Sequence, residues 1–362
     1  MNRIIFDQLP ASIRKPGKYA EFNLKLATRT LPTNAQNTLL IGAMALGAAE
    51  PYTPYWVFDG DSALSLFGES PAYDMAIAAM TANPYIRLQV MGIPADGDYS
   101  TALASVFGGD YQVFAIASNT QADLTILRDH LDAVSHPLEQ RGAIAASAFI
   151  GSVATGSALT AALNAGRITM AWLKNAPNEV HKIAAAYAGV IASEEDPARP
   201  LNTLWLKGIL SNAITDRAGR MEQEVALAHG LSPLEVGAGD KVQIVRAIST
   251  YTKNAAGTDD ISLLDITTIR SLDYVRKACI DRISLRFPRD KKTKRVAAAV
   301  RGELLDVLYK CEELEIVEEV EANKAQLLVQ DNLQDPNRLD SVIPTDVVNG
   351  LHVFAARIDL YL

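Results

Sequence analysis

Cysteine is scarce in this sequence. Cys279 and Cys311 are the two it holds in 362 residues. They lie far apart and lack metal-ligand spacing, which excludes a dense disulfide framework and a cysteine-rich zinc site. Each stands among apolar helical neighbours, so two buried thiols are expected; a disulfide between them is a matter of geometry. Histidine is scarce too. His130, His136, His181, His229 and His352 include no pair at i+3 or i+4, so no helical metal site is spelled out. No metal and no cofactor are expected. Long apolar runs are also missing. Residues 142–166 carry no charge, but they are rich in Ala, Ser, Thr and Gly. They read as strand, turn and helix, not as a membrane span. The opening MNRIIFDQLP has no apolar run of signal-peptide length. Positive charge is in deficit: the net charge is −8 and the pI near 5.3. That disfavours binding of nucleic acid or acidic membranes by the surface as a whole.

Familiar catalytic patterns are absent as well. GAMALG (42–47) follows a strand as a phosphate loop would, but lacks the Lys-Ser/Thr ending and the glycine spacing of a dinucleotide fold. DGD at 59–61 and 96–98 resembles half a calcium loop without the later ligands. Polar turns are the expectation at both. Asp129-His130 and a distant serine make no triad: neighbouring helix residues diverge, and no serine sits in a G-x-S-x-G elbow. Glu194, Glu195, Asp196 and Arg199 cluster in SEEDPARPLNTL. They could serve as an acid/base group, but a hydrogen-bonded helix end is favoured. No catalytic residue is assigned.

What is present is an α/β texture. Short apolar strands are expected at 38–44, 86–93, 111–118, 143–150 and 167–173. Helical patterns alternate with them near 62–68, 73–82, 100–108, 120–135, from 156, and at 179–195, with Thr120 as an N-cap. This predicts an α/β layered domain over 31–235. A turn at 237–240 precedes a second, α+β unit over 236–345. It should hold a strand at 242–252 and long helices at 262–286 and 291–313, broken by Pro288. AQLLVQD (325–331) and a polar loop follow.

Both tips of the chain alternate. In KYAEFNLKL, Ala20, Phe22, Leu24 and Leu26 share one face, with Tyr19 on the other. In LHVFAARIDLYL (351–362), Phe354, Ala356, Ile358, Leu360 and Leu362 share one face. That is the period of half-buried strands. They pair inside their own domain, or each subunit donates its tips to a neighbour's sheet. The extended arms are placed at 1–30 and 346–362.

Charge is also arranged. RFPRDKKTKR (286–295) concentrates Arg286, Arg289, Lys291, Lys292, Lys294 and Arg295 at a helix start, where cations oppose the helix dipole. A partner with an acidic surface would offset that; a plain solvated face is the alternative. Nucleic acid fits less well, because Phe287 is the one aromatic available for stacking.

The segments FDQLPASIRKPGKYAEFN, YQVFAIASNTQADLTILRDHLDAVSHPLEQRG, SEEDPARPLNTL, VQIVRAISTYTKN, DDISLLDITTIRSLDYVRKACIDRISLRFPRDKKTKR and IPTDVVNGLHVFAARIDLYL resemble the tail sheath proteins of contractile-tailed, Mu-like bacteriophages. The resemblance runs over nearly the whole chain. It implies a structural protein, not an enzyme, that stacks with copies of itself as hexameric rings around an inner tube. Contraction would drive the tube through a host envelope. It also implies a subtilisin-like outer domain with no protease site, arms completed as sheets by neighbouring subunits, and a C-terminal domain facing the tube. On that basis Arg286, Arg289, Lys291, Lys292, Lys294 and Arg295 are expected at the tube contact. The implied partners are the tail tube protein, baseplate and tail terminator proteins. The implied location is the virion tail, after assembly in the host bacterial cytoplasm. A contractile bacteriocin or other injection particle is the alternative, and a soluble α/β enzyme a more distant one.

Overall fold

A computed structural model describes residues 31–360. The chain divides into two units, 1–33 and 34–362, and every element below lies in the second. The expected N-terminal arm, with Tyr19, Ala20, Phe22, Leu24 and Leu26, lies outside the described residues, as does Leu362.

Apart from the short edge strand β2, which the sequence did not announce, the first half alternates as expected: β1 (Asn37–Ala43), β2 (Pro54–Trp56), α1 (Gly60–Phe67), α2 (Pro71–Ala82), β3 (Arg87–Ile93), α3 (Tyr99–Ser105), β4 (Val113–Ile116), α4 (Gln121–Val134), β5 (Ile144–Phe149), α5 (Val153–Leu163), β6 (Ile168–Trp172) and α6 (Val180–Ser193). Then come α7 (Arg220–Ala228), β7 (Ser232–Val236), β8 (Val242–Ile244), α8 (Ile266–Arg286), α9 (Lys294–Glu313), α10 (Val320–Asn323), β9 (Leu328–Asp331) and β10 (Leu339–Val342).

Eight strands form one sheet in the order β2-β3-β1-β4-β5-β6-β7-β8. The six central strands are parallel, and β2 and β8 close the two edges antiparallel. Alternate residues of each strand feed two cores. Leu40, Val90 and Ala115 pack with α1, α2 and α6. Leu39, Ile41, Met91, Phe114 and Met170 pack with α3, α4, α5 and α7. Burial on both faces is why these strands read as short continuous apolar runs. Thr120 caps α4 as expected, its hydroxyl accepting from the Asp123 amide at 3.3 Å. Helix α6 is buried along nearly its whole length, and Gly189 lets it approach α2. A Cβ there would stand 2.8 Å from the Ala79 carbonyl oxygen.

Three features differ from the sequence expectation. The strand anticipated at 242–252 is three residues long and pairs on β7 in the main sheet. The reason is the 237–241 turn, where Gly239 and Asp240 take positive φ (74° and 55°) and Gly237 N–H donates to the Lys241 carbonyl at 2.8 Å. That turn folds the chain back as a hairpin. Second, β10 falls within the stretch read as polar loop and pairs with β9 as a separate two-stranded ribbon. Third, residues 351–360 form no strand within the chain, so pairing inside their own domain does not occur among the described residues. Phe354, Ile358 and Leu360 are instead 85%, 94% and 82% exposed, and Ala356 is exposed as well.

The 142–166 stretch resolves into β5 and α5. Among the described residues no helix is long and apolar enough to cross a membrane.

Candidate functional site

The motifs that could have marked an enzyme each find a structural use. In the 42–47 turn and just after it, the Ala45, Ala48 and Ala49 amides donate to the Phe67, Ser65 and Leu66 carbonyls at 2.9–3.0 Å. They are therefore spent on α1 and cannot cradle a phosphate. Asp59 accepts from the Ser62 amide at 2.7 Å and caps α1, a bond that holds its carboxyl below the usual range. Asp98 does the same for α3 through Ser100 and Thr101. Asp129 turns outward to Arg128 at 2.9 Å, whereas His130 points inward between Phe107 and Phe114. Burial, then the nearby Arg141 charge, push His130 down to about 4.

The 194–199 turn is tied to the fold. Glu194 Oε1 accepts from the Asp196 amide at 3.2 Å, and Asp196 Oδ1 from the Ala198 amide at 3.0 Å. Buried Arg270 donates to the Glu194 carbonyl at 2.5 Å, and burial draws its guanidinium down to about 10. Asp74, Glu179 and His181 meet at the start of α6, but Lys182 already lies 3.2 and 3.3 Å from the two carboxylates. A hollow of about 310 Å³ beside α8 contains Asp273, whose carboxylate is held by Arg167 at 2.6 and 3.1 Å and by Arg276 at 2.8 Å. Cys279 and Cys311 are buried free thiols, pushed up by burial to about 12 and about 11. Such thiols stay protonated and unreactive.

The surfaces without an internal use lie toward the C-terminus. Helices α8 and α9 form a hairpin across the 287–293 loop, which carries Arg289, Lys291 and Lys292 of the basic run; Arg286 ends α8, and Lys294 and Arg295 begin α9. Arg282, 3% exposed, reaches Glu303 at 3.1 Å and Asp306 at 2.5 Å across the hairpin. The six cations of the basic run divide. Arg286 pairs with Glu303 at 3.1 Å. Lys292 pairs with Asp331 of β9 at 3.0 Å and donates to the Arg338 carbonyl at 3.3 Å. Arg289, Lys291, Lys294 and Arg295 are exposed and have no ion pair among the described residues. Thr293 caps α9 by accepting from the Val296 amide at 3.2 Å.

The β9–β10 ribbon stands beside this loop. Its base is held by Arg301, which donates to the Leu327 and Lys324 carbonyls at 2.8 and 2.7 Å. Leu328 and Val342 are half exposed, at 50% and 57%. Neither outer edge pairs with another strand among the described residues. A two-stranded ribbon with open edges is marginal alone and is a template for further strands. The sequence reading missed the ribbon because LDSV offers no apolar alternation and is flanked by Pro336 and Pro344.

The C-terminal segment leaves the body close by. The Glu318 amide donates to the Asp346 carbonyl at 2.9 Å, and the Val348 amide to the Ile316 carbonyl at 3.2 Å. Beyond them, in the alternating segment 353–360, Arg357 hydrogen-bonds Asp359 at 2.7 Å, the one side-chain hydrogen bond of that segment among the described residues.

Residues 94–250 match the phage tail sheath protein central domain, and residues 258–360 match the phage tail sheath C-terminal domain. The chain is 30% identical over 279 residues to the Mu-like prophage FluMu tail sheath protein of Haemophilus influenzae. That alignment takes in 73% of this chain and 57% of the relative, so the chain spans little more than half of that protein's length. The fold resembles a sheath tail protein of Listeria innocua, with a TM-score of 0.66 at 12% identity over 90% of this chain and 94% of that one. It also resembles a chain in the six-fold symmetrised baseplate of the anti-feeding prophage, with a TM-score of 0.67 at 11% identity over 97% and 100%.

Proposed function

The chain belongs to the phage tail sheath family, and from that premise we propose that it is the subunit of a contractile sheath. Copies stack as rings, helically, around an inner tube, and contraction drives the tube through a host envelope. The particle is a phage tail or a related contractile injection machine. Its partners are further copies of itself, the tail tube protein, and the baseplate and tail terminator proteins. Its work is mechanical, as befits a family of structural tail proteins.

The observation that carries this reading is the segment 353–360. It alternates with the strand period, exposes apolar side chains on both faces, and has no strand partner among the described residues. Such a segment is costly in water by itself and is satisfied by an open sheet edge on another copy. The unpaired edges of the β9–β10 ribbon supply edges of that kind. We assign the same role to the N-terminal arm at 1–30. Strand exchange of this sort lets bodies turn relative to one another while the arms keep them linked.

The sheet body is the outward domain, and α8 through β10 form the inward, tube-facing domain. In this reading the boundary moves from 235/236 to beyond β8, which pairs in the main sheet, and the gap at 251–257 between the two matched regions supports that choice. The tube contact is the 286–295 stretch, the 287–293 loop with the helix ends that flank it. Arg289, Lys291, Lys294 and Arg295 make it, while Arg286 and Lys292 hold the loop on α9 and β9. A run of exposed cations fits an acidic tube surface.

Negative-stain microscopy of the purified protein, alone and mixed with its tube protein, tests the reading. Hollow ring-stacked cylinders are expected. Uniform small particles under both conditions would overturn it.

A further inference from the structure

Within the last twelve residues one side chain behaves unlike its neighbours. Leu351, Val353 and Phe354 are 82%, 78% and 85% exposed. The His352 side chain between them is 13% exposed. Its ring fills a socket between Asn202 of the sheet body and Asp265, which precedes α8. Nδ1 lies 3.0 Å from Asn202 Nδ2, and Nε2 lies 3.5 Å from Asp265 Oδ1. With Asn202 Nδ2 donating, Nδ1 is the acceptor and Nε2 carries the proton; Nε2 lies near the Asp265 carboxylate but makes no hydrogen bond among the described residues.

The socket is built before the ring enters it. Asp265 is clamped by Arg246, which donates to its two oxygens at 2.8 and 2.7 Å. It is also the residue that begins α8, and it is bridged to Ile248. Gly350 passes so close that a Cβ there would stand 2.7 Å from both His352 Nε2 and Pro200 Cγ. A side chain at 350 would have to displace the His352 ring or Pro200. Upstream, the chain is tied at Asp346 and Val348 to residues 316–318.

We propose that His352 is the positioning residue of the C-terminal arm: it pins the arm's root to Asn202, beside Asp265, so the arm departs at Val353 and not at Asn349. The direction in which the arm is offered to a neighbouring copy is then set by the sheet body. Without the pin, four more residues join the mobile segment and its reach and bearing spread. This inference rests on the sheath reading for its consequence, but the pin itself is a property of one chain.

The test uses the full-length chain at a dilution below assembly, with a nitroxide on Val353→Cys. The native thiols are buried and do not compete for the label. The label should be restricted in the otherwise unaltered chain and several-fold faster in His352→Ala. His352→Asn, which keeps a polar partner for Asn202, should fall between them. Asn202→Ala should loosen the label in the same way and guards against a fold defect peculiar to His352→Ala. A label on Thr345→Cys, before the strap's upstream ties, should not respond. An unchanged spectrum in both alanine variants, or an equal change at position 345, would overturn the pin. Assembly is then read separately. His352→Ala should lower tube yield or broaden the helical lattice; an unaltered lattice would overturn the positioning role. If the unaltered chain itself formed no tubes with its tube protein, the sheath reading would fail while the mobility result stood.

Discussion

Arg282 of α8 and Glu303 of α9 form an ion pair at 3.1 Å that is almost closed to water, with side chains 3% and 10% exposed. Asp306 adds a second carboxylate to the same guanidinium at 2.5 Å, and Arg286 adds a second cation to Glu303. Taking charges out of water is expensive, and the pair repays this only while both partners are present. Because Arg282 keeps Asp306, Glu303→Ala should destabilise the chain by about 1–3 kcal/mol in urea unfolding, less than a fully stranded buried charge would cost. The double variant Arg282→Met, Glu303→Leu should recover most of that loss. A small effect of the single variant would mean that water reaches the pair.

The exposed cations of the 287–295 stretch lead to a prediction about salt. Reversing Lys291, Lys294 and Arg295 to glutamate should weaken co-assembly with the tube protein without destabilising the fold, since each carboxylate placed in the first turn of α9 should add up to about 1 kcal/mol of stability. Wild-type docking should itself weaken as salt rises, because exposed charges are screened over about 8–10 Å near physiological ionic strength. Lys292→Glu should behave differently. It breaks the contact to Asp331 and should loosen the ribbon as well. Co-sedimentation with tube protein across a salt series measures the first effect, and hydrogen exchange of residues 328–342 the second.

His130 predicts acid sensitivity. Its ring is packed between Phe107 and Phe114, and its folded pKa is pushed down to about 4 from 6.5. The folded chain therefore holds the neutral ring where the unfolded chain would take up a proton. The stabilisation is complete above about 6.5 and is lost as pH falls from there toward 4, up to roughly 3 kcal/mol. His130→Leu should flatten the stability profile over that window. A profile as steep as that of the unaltered chain would place the acid sensitivity elsewhere.

The central strands were legible in the sequence because TLLIGAM, IRLQVMGI and RITMAWL are apolar runs bounded by turns. Thr120 was legible because a hydroxyl before an amphipathic run has few other uses. The edges were not. Strand β2 is three residues and β10 four, and both exist through their partners, Met91 and Leu328 among them. The membership of β8 in the main sheet depends on a hairpin turn whose two left-handed residues only the backbone reveals. The basic run announced six cations, but which of them the fold consumes depends on Glu303 and Asp331, distant in sequence. His352 was hidden inside an alternating pattern. Its distinction comes from Asn202, 150 positions away, and from Asp265.

The most direct measurement on the central claim is deletion of residues 351–362, followed by circular dichroism and negative-stain microscopy with the tube protein. The account predicts a folded subunit with an unchanged helical spectrum that forms no cylinders. Cylinders of ordinary length from the truncated chain would contradict it.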